Sequence, residues 1–149
     1  MTSPLRLAAY QPDIAQNLGA MIRLCACFGT PLDIIEPCGF PLSIKALKRT
    51  AMDYADHVSM TRHADWQGFC AATSARKVLL TTKGDADIWD FTFKPGDVLL
   101  MGRETAGVPE EVHNVANARV MIPISETTRS LNLATAAAIA LAEAKRQLR

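Results

Sequence analysis

Three short segments of this 149-residue chain carry residue types whose spacing could do chemistry. The first runs Asn17-Leu18-Gly19-Ala20-Met21-Ile22-Arg23. Asn17 reads as a helix N-cap, Gly19 allows close backbone approach, and a helix N-terminus favours an anion. At about 100° per residue, Arg23 falls off the apolar stripe of Leu18, Met21, Ile22 and Cys25, so it is free to face a cleft or simply solvent. The second segment runs from Leu99 through Gly102-Arg103-Glu104-Thr105-Ala106-Gly107 to Val108-Pro109. It reads as a strand entering a loop with two glycines and a carboxylate, then Pro109 where a missing N–H is harmless. Such a loop either exposes backbone groups to a ligand or is an ordinary strand-to-helix turn with Glu104 in solvent. The third joins Ile122-Pro123-Ile124-Ser125 to Thr128-Arg129-Ser130-Leu131-Asn132-Leu133-Ala134-Thr135-Ala136. A strand breaks at Pro123, and Ser130 or Asn132 begins the last helix, with Ser130 a plausible cap.

Elements that would position these segments follow from periodicity. Strands are expected at residues 5–10, 32–35, near Val58, and at 78–81, 97–101 and 119–122. Helices are expected at 17–28, 43–51, 64–73 and 110–116, with a long one from Ser130 onward. Asn17 caps the first helix in this reading, and Gly29-Thr30-Pro31 ends it. Short apolar strands alternating with helices predict a single-domain α/β fold over residues 1–149. Its sheet should be mostly parallel and flanked by helices. Ligands should then sit beyond the carboxyl ends of the strands. From Ala136 to Ala142 the last helix is apolar on every side. Such a helix needs cover both from its own sheet and from elsewhere, either the rest of the monomer or a second copy.

Composition narrows the function classes. Apolar residues make up 49% of the chain and charged residues 21%, enough for a self-supporting core. The four cysteines (Cys25, Cys27, Cys38, Cys70) make no C-x-x-C pair, and with three histidines they approach no zinc spacing. They read as reduced, buried thiols. No G-x-G-x-x-G follows the first strand and no G-x-x-x-x-G-K-[ST] occurs, so a standard dinucleotide or nucleoside triphosphate site is disfavoured. The N-terminus lacks a signal-peptide pattern, and the most apolar stretch is far shorter than the ~20 residues of a membrane span, so a cytoplasmic setting is expected. Sixteen Lys+Arg against fifteen Asp+Glu give a formal charge of +1, no bulk argument for a nucleic acid. Yet Arg6, Arg23, Lys45, Lys48, Arg49, Arg62, Lys83, Arg103 and Arg129 all fall in or near the motif segments. A near-neutral total can hide a basic cleft.

In this order the three segments, N-x-G-x-x-x-R, G-x-E-x-x-G-[VLI]-P and S-L-N-L-x-x-A, resemble the SPOUT superfamily of RNA methyltransferases. The fit is to its ribose 2′-O-methylating branch. Further landmarks are Ile34-Ile35-Glu36-Pro37 with Gly39-Phe40, Leu47-Lys48-Arg49 with Asp53-Tyr54, Thr61-Arg62-His63, and Leu80-Thr81-Thr82-Lys83-Gly84. The likeness runs nearly end to end. With no extra RNA-binding domain, the chain is most similar to the small methyltransferases of the tRNA wobble cytidine or uridine.

The resemblance implies features that periodicity does not. The fold would carry a C-terminal trefoil knot, with S-adenosylmethionine bent inside it and held by Leu80, Gly102, Ile122, Ser130 and Leu131. Arg23 would be catalytic, with Asn17, Glu104, Ser130 and Asn132 holding the geometry. The substrate would be the anticodon loop of a tRNA, and no metal or membrane is called for. A homodimer would form through the helices at Asn17 and Leu131. Because arginine stays protonated below pH ~12, Arg23 suits a phosphate clamp and alkoxide stabiliser better than a base. The chain departs from the family at Arg103 (commonly Pro), Ala106 (commonly Arg), Ala134-Thr135 (often Ser-Asn) and Ala142 (commonly Tyr). Two other readings stay open: 2′-O-methylation of another tRNA or ribosomal RNA position, and a non-catalytic RNA- or nucleotide-binding module.

Overall fold

A computed structural model describes residues 4–128 and 130–149 and, at 44, 48, 50 and 52, the backbone alone. Arg129 thus lies outside the described residues, as does the Lys48 side chain.

The strands are β1 (Arg6–Tyr10), β2 (Leu32–Ile35), β3 (Met60–His63), β4 (Lys77–Leu80), β5 (Ala86–Asp87), β6 (Val98–Met101) and β7 (Ala118–Met121). They form one seven-stranded sheet in the order β3-β2-β1-β6-β4-β7-β5. Every pairing between these strands is parallel. Leu7, for example, stands opposite Leu32 on one side and Leu99 on the other. Late strands are inserted between earlier ones, since β6 separates β1 from β4 and β7 separates β4 from β5. β5 was not expected from periodicity, being two residues long, and the strand expected near Val58 begins at Met60.

Alternation in the strands sends side chains to two cores. On one face Leu7, Ala9, Leu32, Ile34, Leu99 and Met101 meet α1 (Ala15–Phe28), α2 (Ile44–Ala51) and α5 (Leu133–Leu148). On the other, Ala8, Tyr10, Ile35, Leu79 and Leu100 meet α3 (Trp66–Ala72) and α4 (Glu110–Val115). Asp33 is buried within β2 and is fully answered. The Arg6 guanidinium donates to both of its oxygens at 2.8 and 3.0 Å, and His63 Nε2 lies 2.9 Å from Oδ1. A buried carboxylate without such partners would be costly.

Two capping expectations are corrected. Helix α1 begins at Ala15 after Ile14, which supplies no side-chain cap, so Asn17 sits inside the first turn. Ser130 does not cap α5. Asn132 does, its side chain accepting the Thr135 N–H at 3.2 Å. Two further points differ. The last helix buries one face only, through Ala137, Ala140, Leu141 and Ala144, while Ala142 is exposed. Of the cysteines only Cys25 is buried, and Cys27 is exposed on α1. Burial pushes the Cys25 thiol up to about 12 and the Cys38 thiol up to about 11.

Candidate active site

A cleft of about 1040 Å³ opens at the C-terminal edge of the sheet. Its floor is the ends of β4 and β6, with Leu79, Leu80, Met101 and Gly102. Its walls are the loops after β4, β6 and β7 and the entry to α5. This is where a parallel sheet leaves its strand-end backbone groups free of the next turn of structure.

The sequence-derived candidates divide into two groups. Asn17, Leu80, Gly102, Glu104, Ile122, Ser130, Leu131 and Asn132 all line the cleft. The two asparagines touch, with Asn132 Nδ2 donating to Asn17 Oδ1 at 3.1 Å. Arg23 is not among the lining residues. It is exposed, and its guanidinium lies 4.9 Å from the centre of the Tyr54 ring. Arg23 is six residues beyond Asn17, which turns it to another side of α1. Within a single chain, then, the arginine stands apart from the other members of the constellation.

The loop after β6 is held shut by its own backbone. Arg103 N–H donates to Gly107 O at 2.9 Å and Gly107 N–H to Arg103 O at 3.0 Å. Closure needs Gly107 in the left-handed region (φ +59°) and Gly102 bare, because a Cβ there would lie 2.9 Å from the Gly107 carbonyl carbon. Arg103 adds a further tie. Its Nε donates to Gly107 O at 3.0 Å, and its guanidinium lies 5.6 Å from the centre of the Tyr10 ring.

Asp13 and Tyr54 are contributors that sequence reasoning passed over. Asp13, just beyond the end of β1, bonds to both Glu104 and Thr105. A carboxylate directly beyond a parallel strand was the available signal. Tyr54 was noted as a landmark, and only the fold shows it under Arg23. Glu104 directs Oε2 to the Asp13 N–H at 3.1 Å, while its Oε1 is enclosed with no hydrogen-bond partner. Enclosed polar atoms are ordinarily paired, and this oxygen has no donor among the described residues. Among the described residues no cluster of three or more His, Cys, Asp or Glu is placed to hold a metal ion.

The fold that carries this cleft is also found among solved structures. The fold superposes with a TM-score of 0.92 and 41% identity on a structure described as "Structural insights into the 2-OH methylation of C/U34 on tRNA", covering 98% of this chain and 97% of that one. It matches the SpoU methyltransferase AviRb from Streptomyces viridochromogenes in complex with the cofactor AdoMet at TM-score 0.83 and 26% identity, over 99% of this chain and 62% of that one. Residues 4–142 fit the pattern of the SpoU rRNA Methylase family, and the chain belongs to that family of methyltransferases. Among relatives, a tRNA (cytidine(34)-2′-O)-methyltransferase of Beijerinckia indica is 55% identical over 95% of this chain and 91% of its own length. The protein of the same name from Escherichia coli K12 is 38% identical over 97% and 94%.

Proposed function

We propose that this chain transfers the methyl group of S-adenosylmethionine to the ribose 2′-OH of nucleotide 34, the wobble position, in the anticodon loop of a tRNA. The observation that carries the reading is the meeting of three sequence-distant motif segments at one cleft. The Asn17–Asn132 bond, spanning 115 residues, joins the first segment to the third. Relatives that share this chain nearly end to end bear that activity in their names.

The residues present suit the donor. Strand-end backbone at Leu80, Gly102 and Ile122, with Ser130 and Leu131 opposite, offers amide and carbonyl groups within a cleft large enough for a nucleoside and its substituents. When bound, S-adenosylmethionine supplies a methyl group on a sulfonium, already an activated electrophile. What remains for the protein is alignment and care of one proton. Asn17 and Asn132 fix the mouth of the cleft. Glu104, whose Oε2 takes the Asp13 N–H, holds the loop after β6 at the edge of the cleft. Arg23 serves as a phosphate clamp and a stabiliser of the developing alkoxide. Its distance from the cleft means that a second copy of the chain, or the RNA itself, brings the reacting group to it.

The homodimer belongs to the same reading. Ala20, Cys27 and Phe28 on α1 are exposed, as are Thr135 and Ala142 on α5, and α1 packs beside α5. A two-copy contact across these helices would cover the face that the chain's own core leaves open. The threaded C-terminal path expected of the superfamily, a trefoil knot, goes with the reading and accords with the insertion of β6 and β7 between earlier strands. No helix among the described residues is long and apolar enough to cross a membrane. We place the enzyme in the cytoplasm with its tRNA.

The test is methyl transfer from labelled S-adenosylmethionine to tRNA isolated from cells lacking this gene, with the product mapped by mass spectrometry. Methylation at the ribose of nucleotide 34 is expected, with loss of about 10²–10³ in turnover for Arg23→Ala. Label at any other nucleotide, or none, overturns the assignment. Full turnover in Arg23→Ala overturns the role given to that residue.

A further inference from the structure

Asp13 stands where three loops meet at the C-terminal edge of the sheet. Its Oδ1 accepts the Glu104 backbone N–H at 3.2 Å, and its Oδ2 accepts the Thr105 hydroxyl at 2.6 Å. In return its own backbone N–H donates to Glu104 Oε2 at 3.1 Å. The two residues, 91 apart in sequence, thus clasp each other through backbone and side chain in both directions. The third loop, after β2, presses on the clasp from outside. Gly39 N–H donates to Pro12 O at 3.0 Å, and a Cβ on Gly39 would lie 2.8 Å from Asp13 Cβ. Asp13 therefore has no room to swing toward Gly39. With Oε2 fixed on the Asp13 N–H, rotation of the Glu104 carboxyl is fixed as well, and so is the position of its unpaired Oε1.

We propose that Asp13 is a positioning residue for methyl transfer, setting the height and rotation of Glu104 in the cleft through this two-way clasp. The inference rests on the functional reading above, in which Glu104 holds the geometry of the cleft. Asp13 touches neither substrate nor donor and acts only through Glu104. Its effect falls on alignment, where a displacement of about 1 Å can lower a rate roughly 10²-fold.

The experiment is a double-mutant cycle on the full chain, with Asp13→Ala, Glu104→Gln and the pair, read as kcat and KM on tRNA at saturating S-adenosylmethionine. Asp13→Ala is expected to lower kcat about 10- to 100-fold with KM for tRNA and donor affinity changed less than about threefold. In the Glu104→Gln background the same change is expected to cost less than about twofold, since neighbours acting as a unit are not additive. Asp13→Asn, which keeps an acceptor for the Glu104 N–H, is expected to recover most of the rate. If Asp13→Ala fails to fold, Gly39→Ala displaces the carboxylate without removing it and enters the same cycle. Losses that multiply overturn the proposal, as does a loss confined to KM. A parent chain that methylates no tRNA overturns the functional reading and this one with it. An active parent with multiplying losses overturns this one alone.

Discussion

Asn132 Nδ2 donates to Asn17 Oδ1 at 3.1 Å, while Asn132 Oδ1 accepts the Thr135 N–H at 3.2 Å. One side chain therefore caps α5 and ties that helix to the first turn of α1. The cap sets where α5 begins, and the tie sets where its entry loop, which carries Ser130 and Leu131, meets the cleft.

Asn132→Asp separates these duties. Aspartate caps as well as asparagine but offers no N–H to Asn17, so stability should fall by less than about 0.5 kcal/mol while turnover drops. Asn132→Ala loses both duties and should cost about 1 kcal/mol. Urea denaturation and methyl transfer on the two variants check this. Equal stability losses in both would show that the cap contributes nothing.

Gly102 and Gly107 tolerate alanine differently. At Gly102 a Cβ would meet Gly107 backbone at 2.9 Å, whereas at Gly107 there is open space but φ is +59°. Gly102→Ala must push the loop out of place and should weaken S-adenosylmethionine binding at least tenfold, about 1.4 kcal/mol. Gly107→Ala should instead cost about 1–2 kcal/mol of stability from its left-handed backbone. Calorimetric titration with the donor and thermal melts separate the two effects.

Acid should loosen the C-terminal helix through Glu143. Hydrogen bonds from Arg146 and then Gln147 hold its carboxyl down to about 2, against an ordinary 4.5. Because the folded value is the depressed one, the stability it contributes is present above pH 4.5 and is lost as pH falls toward 2. The same Gln147 accepts the Phe93 N–H and donates to Phe91 O, so the loss reaches the segment between β5 and β6. Glu143→Gln should flatten the acid limb of the stability curve. An unchanged limb in that variant would assign acid sensitivity to other groups.

Thiol reactivity reports both burial and assembly. With its thiol pushed up to about 12 by burial, Cys25 should resist alkylation at neutral pH until the chain unfolds, while exposed Cys27 reacts. In the proposed homodimer Cys27 should become protected as protein concentration rises. Peptide mapping after a timed iodoacetamide pulse reads both sites. Concentration-independent labelling of Cys27 would argue against an interface on that face of α1.

The sequence by itself determined much of this molecule. The apolar runs at 32–35 and 97–101 and the helical stripe from Leu18 to Cys25 fix an α/β fold, because strand and helix periods are local properties of the chain. Spacing singled out Asn17, Gly102, Glu104, Ser130 and Asn132, and the resemblance to the SPOUT superfamily alone suggested site roles for them. Their mutual arrangement was not legible, since which strand ends lie side by side depends on sheet order, and parallel neighbours are far apart in sequence. Only tertiary structure could choose Asn132 over Ser130 as the cap, set Arg23 on Tyr54 away from the cleft, and clasp Asp13 to Glu104. The last two are contacts between residues distant in sequence, and the choice of cap goes with the Asn132 bond to Asn17, 115 residues away, so no local pattern records them.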